Sequence, residues 1–457
     1  MRPVFAVLVG LLTTTWPCAA STPSVELVLH APSPDALPDP RCVTRLCTSL
    51  LEQITAATTS IDFALYGVRD QQPIVDALLA ARARGVRVRG LVDRQLDGRN
   101  DYTGTAALVA ALADVRDDQA SDLRLIAKAH AWSQHACAAQ PPGTLGPVRC
   151  VALDVGDSCI TAVQAAKDEI VPSGDLVHDK FFVFDHATLW TGSTNVSDTC
   201  TGGYNANVAV VVGDPTVAAW YTREFEQMWA GLHHTEKRAS GPMRATLSDG
   251  TPVQAFFSPQ DPAMDRGVRD AIRSARQRID AAAFFLTHTG VAQDLADAAH
   301  RGVKVRLLID ATGAANEYSM HALLRAAGVE VAVEDFGGKM HAKALAVDGR
   351  VLVLGSMNWT RAGEHANDEN TLRFDDPRLA GQFDAWFEDL WAHVGTDWHH
   401  GRPDAESHRS GNACRDGVDN DHDGRTDDED DGCTLARDHD EPVQATPKRA
   451  DGSCAPW

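Results

Sequence analysis

His178-Asp-Lys180-Phe-Phe-Val-Phe-Asp185 and His341-Ala-Lys343-Ala-Leu-Ala-Val-Asp348 are two copies of one pattern in a single chain, and their pairing decides how the rest is read. Each is followed at the same offset by a small loop, Gly192-Ser193-Thr-Asn195 and Gly355-Ser356-Met-Asn358. The run after each histidine is apolar and short, as in a buried strand. Residues two apart on a strand project from one face, so imidazole and ammonium point the same way. The aspartate, seven positions on, has the opposite parity and is expected at the strand end in a structural pairing. A Gly-Ser-x-Asn loop can offer a hydroxyl, an amide and backbone N–H groups to an anion. One His-x-Lys pair carries little information; two with identical internal spacing and identical following loops carry a great deal.

The repeat extends upstream of both motifs. Ser60-Ile-Asp-Phe-Ala-Leu-Tyr66 leads through a helical stretch to Arg84-Gly-Val-Arg-Val-Arg-Gly-Leu-Val-Asp93. Arg278-Ile-Asp-Ala-Ala-Ala-Phe-Phe285 leads likewise to Arg301-Gly-Val-Lys-Val-Arg-Leu-Leu-Ile-Asp310. Ile74, Leu78 and Leu79, and Val291, Leu295 and Ala298, carry the helical spacing. Gly85 and Gly302 fall where each helix should stop. A strand, helix and strand of this size predict parallel pairing through a right-handed crossover. The stretch from Asp93 to the first motif is about 54 residues longer than its counterpart after Asp310. The excess, at about 95–170, holds Cys137, Cys150 and Cys159 and reads as a disulfide-tied insertion, either covering the site or decorating the surface.

His-x-Lys-x4-Asp-x6-Gly-Ser-x-Asn, present twice, resembles the phospholipase D superfamily over roughly residues 24–398. The resemblance implies an α/β fold: two repeated halves packed as a pseudo-dimer around a shared active site, with a short irregular acidic tail added. With the apolar N-terminus read as a signal peptide at 1–20 and the acidic segment as a tail at 401–457, the halves fall at 21–240 and 241–400. The resemblance implies a catalytic set of His178, Lys180, Asp185, His341, Lys343, Asp348 and Glu369, with Ser193, Asn195, Ser356 and Asn358 binding the substrate phosphate.

The residue types suggest the chemistry. Lysines and asparagines neutralise the non-bridging oxygens of a phosphodiester and stabilise charge in the transition state. One neutral imidazole attacks phosphorus to give a phosphohistidine. The other gives a proton to the leaving alkoxide and then activates water. With two lysines acting as the clamp, no cofactor is expected for catalysis. Family members usually hold the nucleophile with an acidic residue beyond the Gly-Ser loop. Glu369 matches that place in the second half, and Ala206 takes it in the first, within Tyr204-Asn-Ala-Asn-Val208. His341 is therefore expected as nucleophile, held by Glu369, and His178 as general acid, oriented by Asn205 or Asn207.

Bulk properties narrow the setting. The chain has 457 residues, 44% of them hydrophobic, with a formal net charge of −21, which disfavours nonspecific grip on nucleic-acid phosphates. Arg2, the apolar run Phe5–Leu12 and Cys18-Ala-Ala20 read as an export signal. The cysteines beyond it are nine, an odd number, and suit an oxidising compartment. A secreted or periplasmic location follows as an expectation. In the acidic tail, Asp419, Asp421, Asp423, Asp427 and Asp430 alternate around Gly424 and resemble calcium loops, so a structural calcium is expected there. Trp190, Trp220, Trp229, Trp386 and Trp391 read as core, and the histidine pairs His233-His234 and His399-His400 as element ends. Asn195-Val-Ser197 and Asn358-Trp-Thr360 match the glycosylation triplet, but each asparagine belongs to a motif.

Three functions compete. The leading one is a phospholipase D acting at a phospholipid membrane surface on a phosphatidylcholine-type substrate, monomeric because both motifs lie in one chain. The second is a nuclease with nucleic acid as substrate, for which Arg82–Arg89 and Arg273–Arg278 would form a basic groove. The third is a non-catalytic binding protein anchored through the acidic loop.

Overall fold

The computed structural model describes residues 24–126 apart from 34–35 and 97, 148–155, 158–165, 175–393 apart from 317 and 335–337, and 445–448. The N-terminal apolar run, the middle of the insertion and the candidate calcium loop lie outside the described residues.

The first sheet contains β1 (Val25–His30), β2 (Ser60–Leu65), β3 (Arg87–Val92), β4 (Val115–Asp117), β5 (Lys180–Phe184), β6 (Thr188–Gly192) and β7 (Asn207–Val212). Their order is β1-β7-β6-β5-β2-β3-β4. The second contains β8 (Met243–Thr246), β9 (Pro252–Ser258), β10 (Arg278–Ala283), β11 (Lys304–Ile309), β12 (Glu330–Val333), β13 (Lys343–Val347), β14 (Val351–Gly355) and β15 (Glu369–Asp375). Their order is β8-β9-β15-β14-β13-β10-β11-β12, the same arrangement with one added edge strand. The repeat strands pair in parallel as expected, Ser60 with Arg87 through Leu65 with Val92, and Arg278 with Lys304 through Ala283 with Ile309. The chain passes from one sheet to the other between Glu236 and Met243.

Helices complete each crossover. In the first half α1 (Arg45–Ala56) and α2 (Gln72–Ala83) pack together, and α2 opens on a proline, whose fixed φ suits a first turn. Gly85 and Gly302 follow the helix ends with φ of +92° and +83°, the left-handed region that stops a helix cheaply at glycine. Further on are α3 (Gln119–Ile126), α4 (Pro215–Trp229), α5 (Thr289–His300) and α6 (Pro377–His393). Asp214 caps α4 by accepting from Thr216 and Val217 N–H.

The alternation along the motif strands divides the core. Phe181 and Val183 of β5, with Ala344 and Ala346 of β13, enter one cluster shared by both sheets. Phe182 and Phe184 enter the outer core of the first half, and Leu345 and Val347 that of the second. Fully burying a side chain of this size contributes about 1.5–3 kcal/mol, so the two sheets are bound through apolar contact on their inner faces. Both motifs therefore start central strands, where neighbours on each side hold the backbone. Trp190, Trp220 and Trp386 are buried in these cores, and Trp229 and Trp391 pack against the shared one.

Part of the insertion forms a hairpin, Val148–Val155 with Ser158–Ala165. Ala445–Pro447, from the tail expected to be irregular throughout, adds to it as a third, antiparallel strand. Cys42 and Cys47 form a disulfide, and Cys200 is a free, buried cysteine.

Candidate active site

Backbone pairing between the halves builds the site. His178 N–H donates to Asp368 O at 3.0 Å, and Asp368 N–H returns to Leu176 O at 2.8 Å. The other half repeats the exchange: His341 N–H donates to Ala206 O at 2.9 Å, and Ala206 N–H to Lys339 O at 2.8 Å. The aspartates that end the repeat strands hold the residue before each histidine. Asp93 Oδ1 accepts from Val177 N–H at 3.1 Å, and Asp310 Oδ2 from Met340 N–H at 2.9 Å. Each histidine is thus gripped by its own repeat and by the opposite half.

The side chains follow the same exchange, which overturns the expected partner of Glu369. Both of its carboxylate oxygens lie 2.8 Å from Nδ1 of His178, and it does not hold His341. The residue structurally equivalent to Glu369 is Asn207, not Ala206. Gly192 pairs with Ala209 as Gly355 pairs with Thr371, so the first-half loop is one residue longer. Asn207 Oδ1 faces Nδ1 of His341 at 3.1 Å, with Cys200 Sγ at 3.8 Å from the same nitrogen. Asn205 orients neither imidazole; its Oδ1 accepts from Lys339 N–H at 2.9 Å.

The serines are corrected as well. Ser356 Oγ donates to Glu369 Oε2 at 2.7 Å, and Ser193 Oγ to Asn207 Oδ1 at 2.9 Å. Both are fully buried behind the groups that orient the histidines, so their hydroxyls are committed there and not to a phosphate. The asparagines keep uncommitted acceptors: Asn195 Nδ2 donates to the Tyr102 hydroxyl at 2.9 Å, while Asn195 Oδ1 and Asn358 Oδ1 have no partner among the described residues.

Asp185 and Asp348 stand at the far ends of β5 and β13, as strand parity demands, and take no part in the pocket. Asp185 accepts from the N–H groups of Thr58, Thr59 and Ser60, and Asp348 from those of Arg276, Gln277 and Arg278. They tie each motif strand to the start of its repeat and are structural.

Lys180 and Lys343 begin their strands, and each Nζ donates to the carbonyl of its own motif histidine, at 2.5 and 2.7 Å. Burial pulls Lys180 down to about 8, and pulls Lys343 well below the ordinary lysine value, with Lys180 adding repulsion. Burial, then the two lysines, pulls both histidines well below the usual imidazole value, leaving neutral rings. Burial pushes the Glu369 carboxyl up to about 8, against the pull of Lys180 and the Ser356 hydroxyl. A buried, electropositive pocket of this kind favours an anion bearing hydrogen-bond acceptors.

Aromatic walls flank the imidazoles at equivalent positions. Tyr66, just past β2, meets the His178 ring edge-on at 5.9 Å, and Phe284, just past β10, lies 5.0 Å from the His341 ring. Phe284 also carries Lys343 Nζ over its face at 4.8 Å. Asn207 was expected beside His178 and instead faces His341, whereas Tyr66, Tyr102, Phe284 and Cys200 were not expected at the site from the sequence. The repeat alignment placed Tyr66 and an aromatic pair after matching strands; the others come from loops without a repeat signature.

The profile of the family described as cardiolipin synthase, PLD-like domain, matches residues 50–229 and 268–391. A mitochondrial cardiolipin hydrolase from Chlamydomonas reinhardtii is 34% identical over 122 residues, covering 27% of this chain and 55% of that protein. The Homo sapiens mitochondrial cardiolipin hydrolase is 32% identical over 173 residues, covering 38% and 68%. A phospholipase D from Rickettsia bellii is 30% identical over 131 residues, covering 29% and 65%. The chain thus spans about half to two thirds of the length of these relatives.

Proposed function

The chain belongs to the phospholipase D-like family, and from that membership we propose that it is a phosphodiesterase that hydrolyses the head-group ester of a phospholipid, of the phosphatidylcholine type, to phosphatidate. The observation that carries this reading is the pairing of the two halves' histidines and lysines in one buried pocket, with Glu369 as the carboxylate on His178. The phosphodiester supplies the negative charge that Lys180 and Lys343 lack, and rotation of the Asn195 and Asn358 amides, whose Oδ1 atoms are uncommitted, would turn an N–H toward it.

The partner of Glu369 reassigns the two imidazole roles. In its carboxylate form, which Lys180 and the Ser356 hydroxyl favour against burial, Glu369 on Nδ1 fixes the tautomer with Nε2 as acceptor and stabilises the positive charge that develops on attack. His178 is therefore the nucleophile: its Nε2 forms the N–P bond while the bond from phosphorus to the head-group oxygen breaks. That oxygen leaves with the electron pair and takes a proton from His341. Asn207, neutral, aligns His341 without holding a permanent cation there. Water then attacks phosphorus, gives its proton to His341, and the N–P bond breaks to free His178. Charge neutralisation by the bound phosphodiester lets His341 hold the proton that the first step requires.

A lipid substrate is favoured over nucleic acid by the arginines proposed for a basic groove. Arg87 and Arg89 pair with Asp62, Arg89 also with Glu226, Arg273 with Asp294, and Arg278 with Asp280 and Asp384. These four charges are already paired within the fold, which leaves Arg82, Arg84 and Arg276 of the two stretches without an ion pair among the described residues. The names of the relatives, cardiolipin hydrolase and phospholipase D, support a phospholipid as well. The reading includes export to a secreted or periplasmic location, a monomer with both motifs in one chain, and a structural calcium in the tail.

The test is incubation of purified protein in EDTA with phosphatidylcholine vesicles, cardiolipin vesicles, and plasmid and single-stranded DNA. His178→Ala and His341→Ala variants run alongside. Choline and phosphatidate release that needs both histidines supports the reading. Turnover of cardiolipin alone keeps the chemistry and moves the head group; DNA cleavage without lipid turnover overturns the substrate class.

A further inference from the structure

A second polar cluster lies on the other side of the Glu369 wall and takes no part in the chemistry above. His234, in the single 3₁₀ turn after α4, is fully buried. Its Nε2 lies 3.2 Å from Asp118 Oδ2 and 3.3 Å from Asp122 Oδ1. Asp118 and Asp122 come from the start of α3, a different element, and both are buried. His234 Nδ1 faces Asp368 Oδ2 at 3.2 Å.

The charge balance around this imidazole is unusual. Asp93, Asp118, Asp122, Asp368 and Glu224 are all buried, and the basic groups among them are His233 and His234, both facing Asp368, and Lys237, shared by Glu224 and Asp368. Among the described residues, Asp93 Oδ2 and Asp122 Oδ2 are buried without a partner, and Asp118 Oδ2 and His234 Nε2 have only the ion-pair contacts given above. Buried carboxylates persist when they are paired or when they coordinate a metal. Here the surplus is negative and these polar atoms converge.

The geometry points to a divalent metal site of the zinc class, with His234 Nε2, Asp118 and Asp122 as ligands. The three ligand atoms lie within 4.8 Å of one another. In a tetrahedral zinc site with bonds of about 2.0–2.1 Å, ligand atoms stand roughly 3.3 Å apart, close to the 3.2 and 3.3 Å found from His234 to the two carboxylates. One imidazole with oxygen donors suits zinc better than a hard alkaline-earth ion. Asp368 behind His234 is the outer carboxylate that fixes the ring and the tautomer of a metal-bound histidine. Through it the ion would brace the catalytic wall, because Asp368 O accepts the His178 N–H and the next residue is Glu369. The ion is structural, and the site does not depend on which phosphodiester the enzyme cleaves.

The experiment uses the full chain, stripped with a chelator, with Zn²⁺ titrated back by calorimetry and retained metal counted by mass spectrometry. The expected result is one zinc per chain. Asp122→Asn and His234→Gln should weaken it by at least about 10-fold, with the circular dichroism of the folded protein retained, and Asp421→Asn in the acidic tail should leave it intact. Failure of the wild type to bind stoichiometric zinc, or binding unchanged in Asp122→Asn, overturns the site. Should both site variants fail to fold, Co²⁺-loaded wild type decides: X-ray absorption with one imidazole and oxygen ligands supports the assignment, and sulfur ligands or no ordered shell overturn it. None of these readouts uses phosphodiester turnover, so the site and the proposed activity stand or fall separately.

Discussion

Glu369, on the second sheet, holds Nδ1 of His178, on the first, at 2.8 Å. The carboxylate that orients one motif histidine thus comes from the opposite half of the chain, and neither half carries a complete site.

Glu369→Gln should therefore act on His178. An amide can present the wrong group to Nδ1 and cannot stabilise a developing imidazolium, so kcat should fall by about 10³–10⁴-fold. Asn207→Ala, which removes one neutral contact to His341, should cost about 5–10-fold, the worth of roughly 1 kcal/mol. Steady-state kinetics on both variants checks the asymmetry; equal losses would remove the basis for naming His178 the nucleophile.

Trapping the intermediate locates the attack directly. With an activated ester whose leaving group needs no proton, His341→Ala should accumulate phosphoenzyme, since its second step lacks the base. His178→Ala should form none. Peptide mapping should find the phosphoryl group on His178; a label on His341 would reverse the roles.

The serine assignments separate through kinetic constants. Ser356→Ala leaves Glu369 without its supporting hydroxyl and should lower kcat by about 5–10-fold with KM little changed. Ser193→Ala should have a smaller effect of the same kind, through Asn207. A rise in KM with kcat intact would return both hydroxyls to phosphate binding.

The pH profile has a required alkaline limb. Burial pulls Lys180 down to about 8, so its ammonium is present below that pH and lost as pH rises through it. Because kcat/KM reports the free enzyme, it should rise toward about pH 8 as Glu369 ionises and decline above it as Lys180 loses its proton. Lys180→Arg, which stays charged, should move that limb, whereas a limb unmoved in Lys180→Arg but moved in Lys343→Arg would assign it to Lys343, whose ammonium burial also weakens. A wild-type profile flat to high pH would refute this origin.

Asp185→Asn should destabilise the fold by about 1–3 kcal/mol while leaving kcat of the folded protein unchanged, because the carboxylate caps backbone N–H groups away from the pocket. Burial alone would raise its pKa, but hydrogen bonds from Ser60, Thr58 and Thr59 outweigh that and hold it below the ordinary carboxylate range. Its contribution is therefore present above the unfolded pKa and lost as pH falls through the folded one. Denaturant melts at neutral and acid pH, wild type against variant, measure this, and a kcat loss in Asp185→Asn would restore a catalytic part.

Local pattern alone determined the duplicated architecture, the parallel repeat strands, the glycine stops after the helices, the two His-x-Lys pairs and the position of both motif aspartates at strand ends. These features follow from periods of two and 3.6 and from spacing, which act over a few residues. Tertiary structure decided which partner each histidine meets. A one-residue difference between the Gly-Ser loops shifted the equivalent of Glu369 from Ala206 to Asn207, and strand register alone reveals that shift. The exchange of partners between halves arises because two sheets dock face to face through a shared apolar core, and Asp118 and Asp122 meet His234 because α3 packs on the turn after α4, where Ser121 Oγ donates to Gly231 O. Sequence spacing carries no record of that docking, since the groups it joins are far apart along the chain.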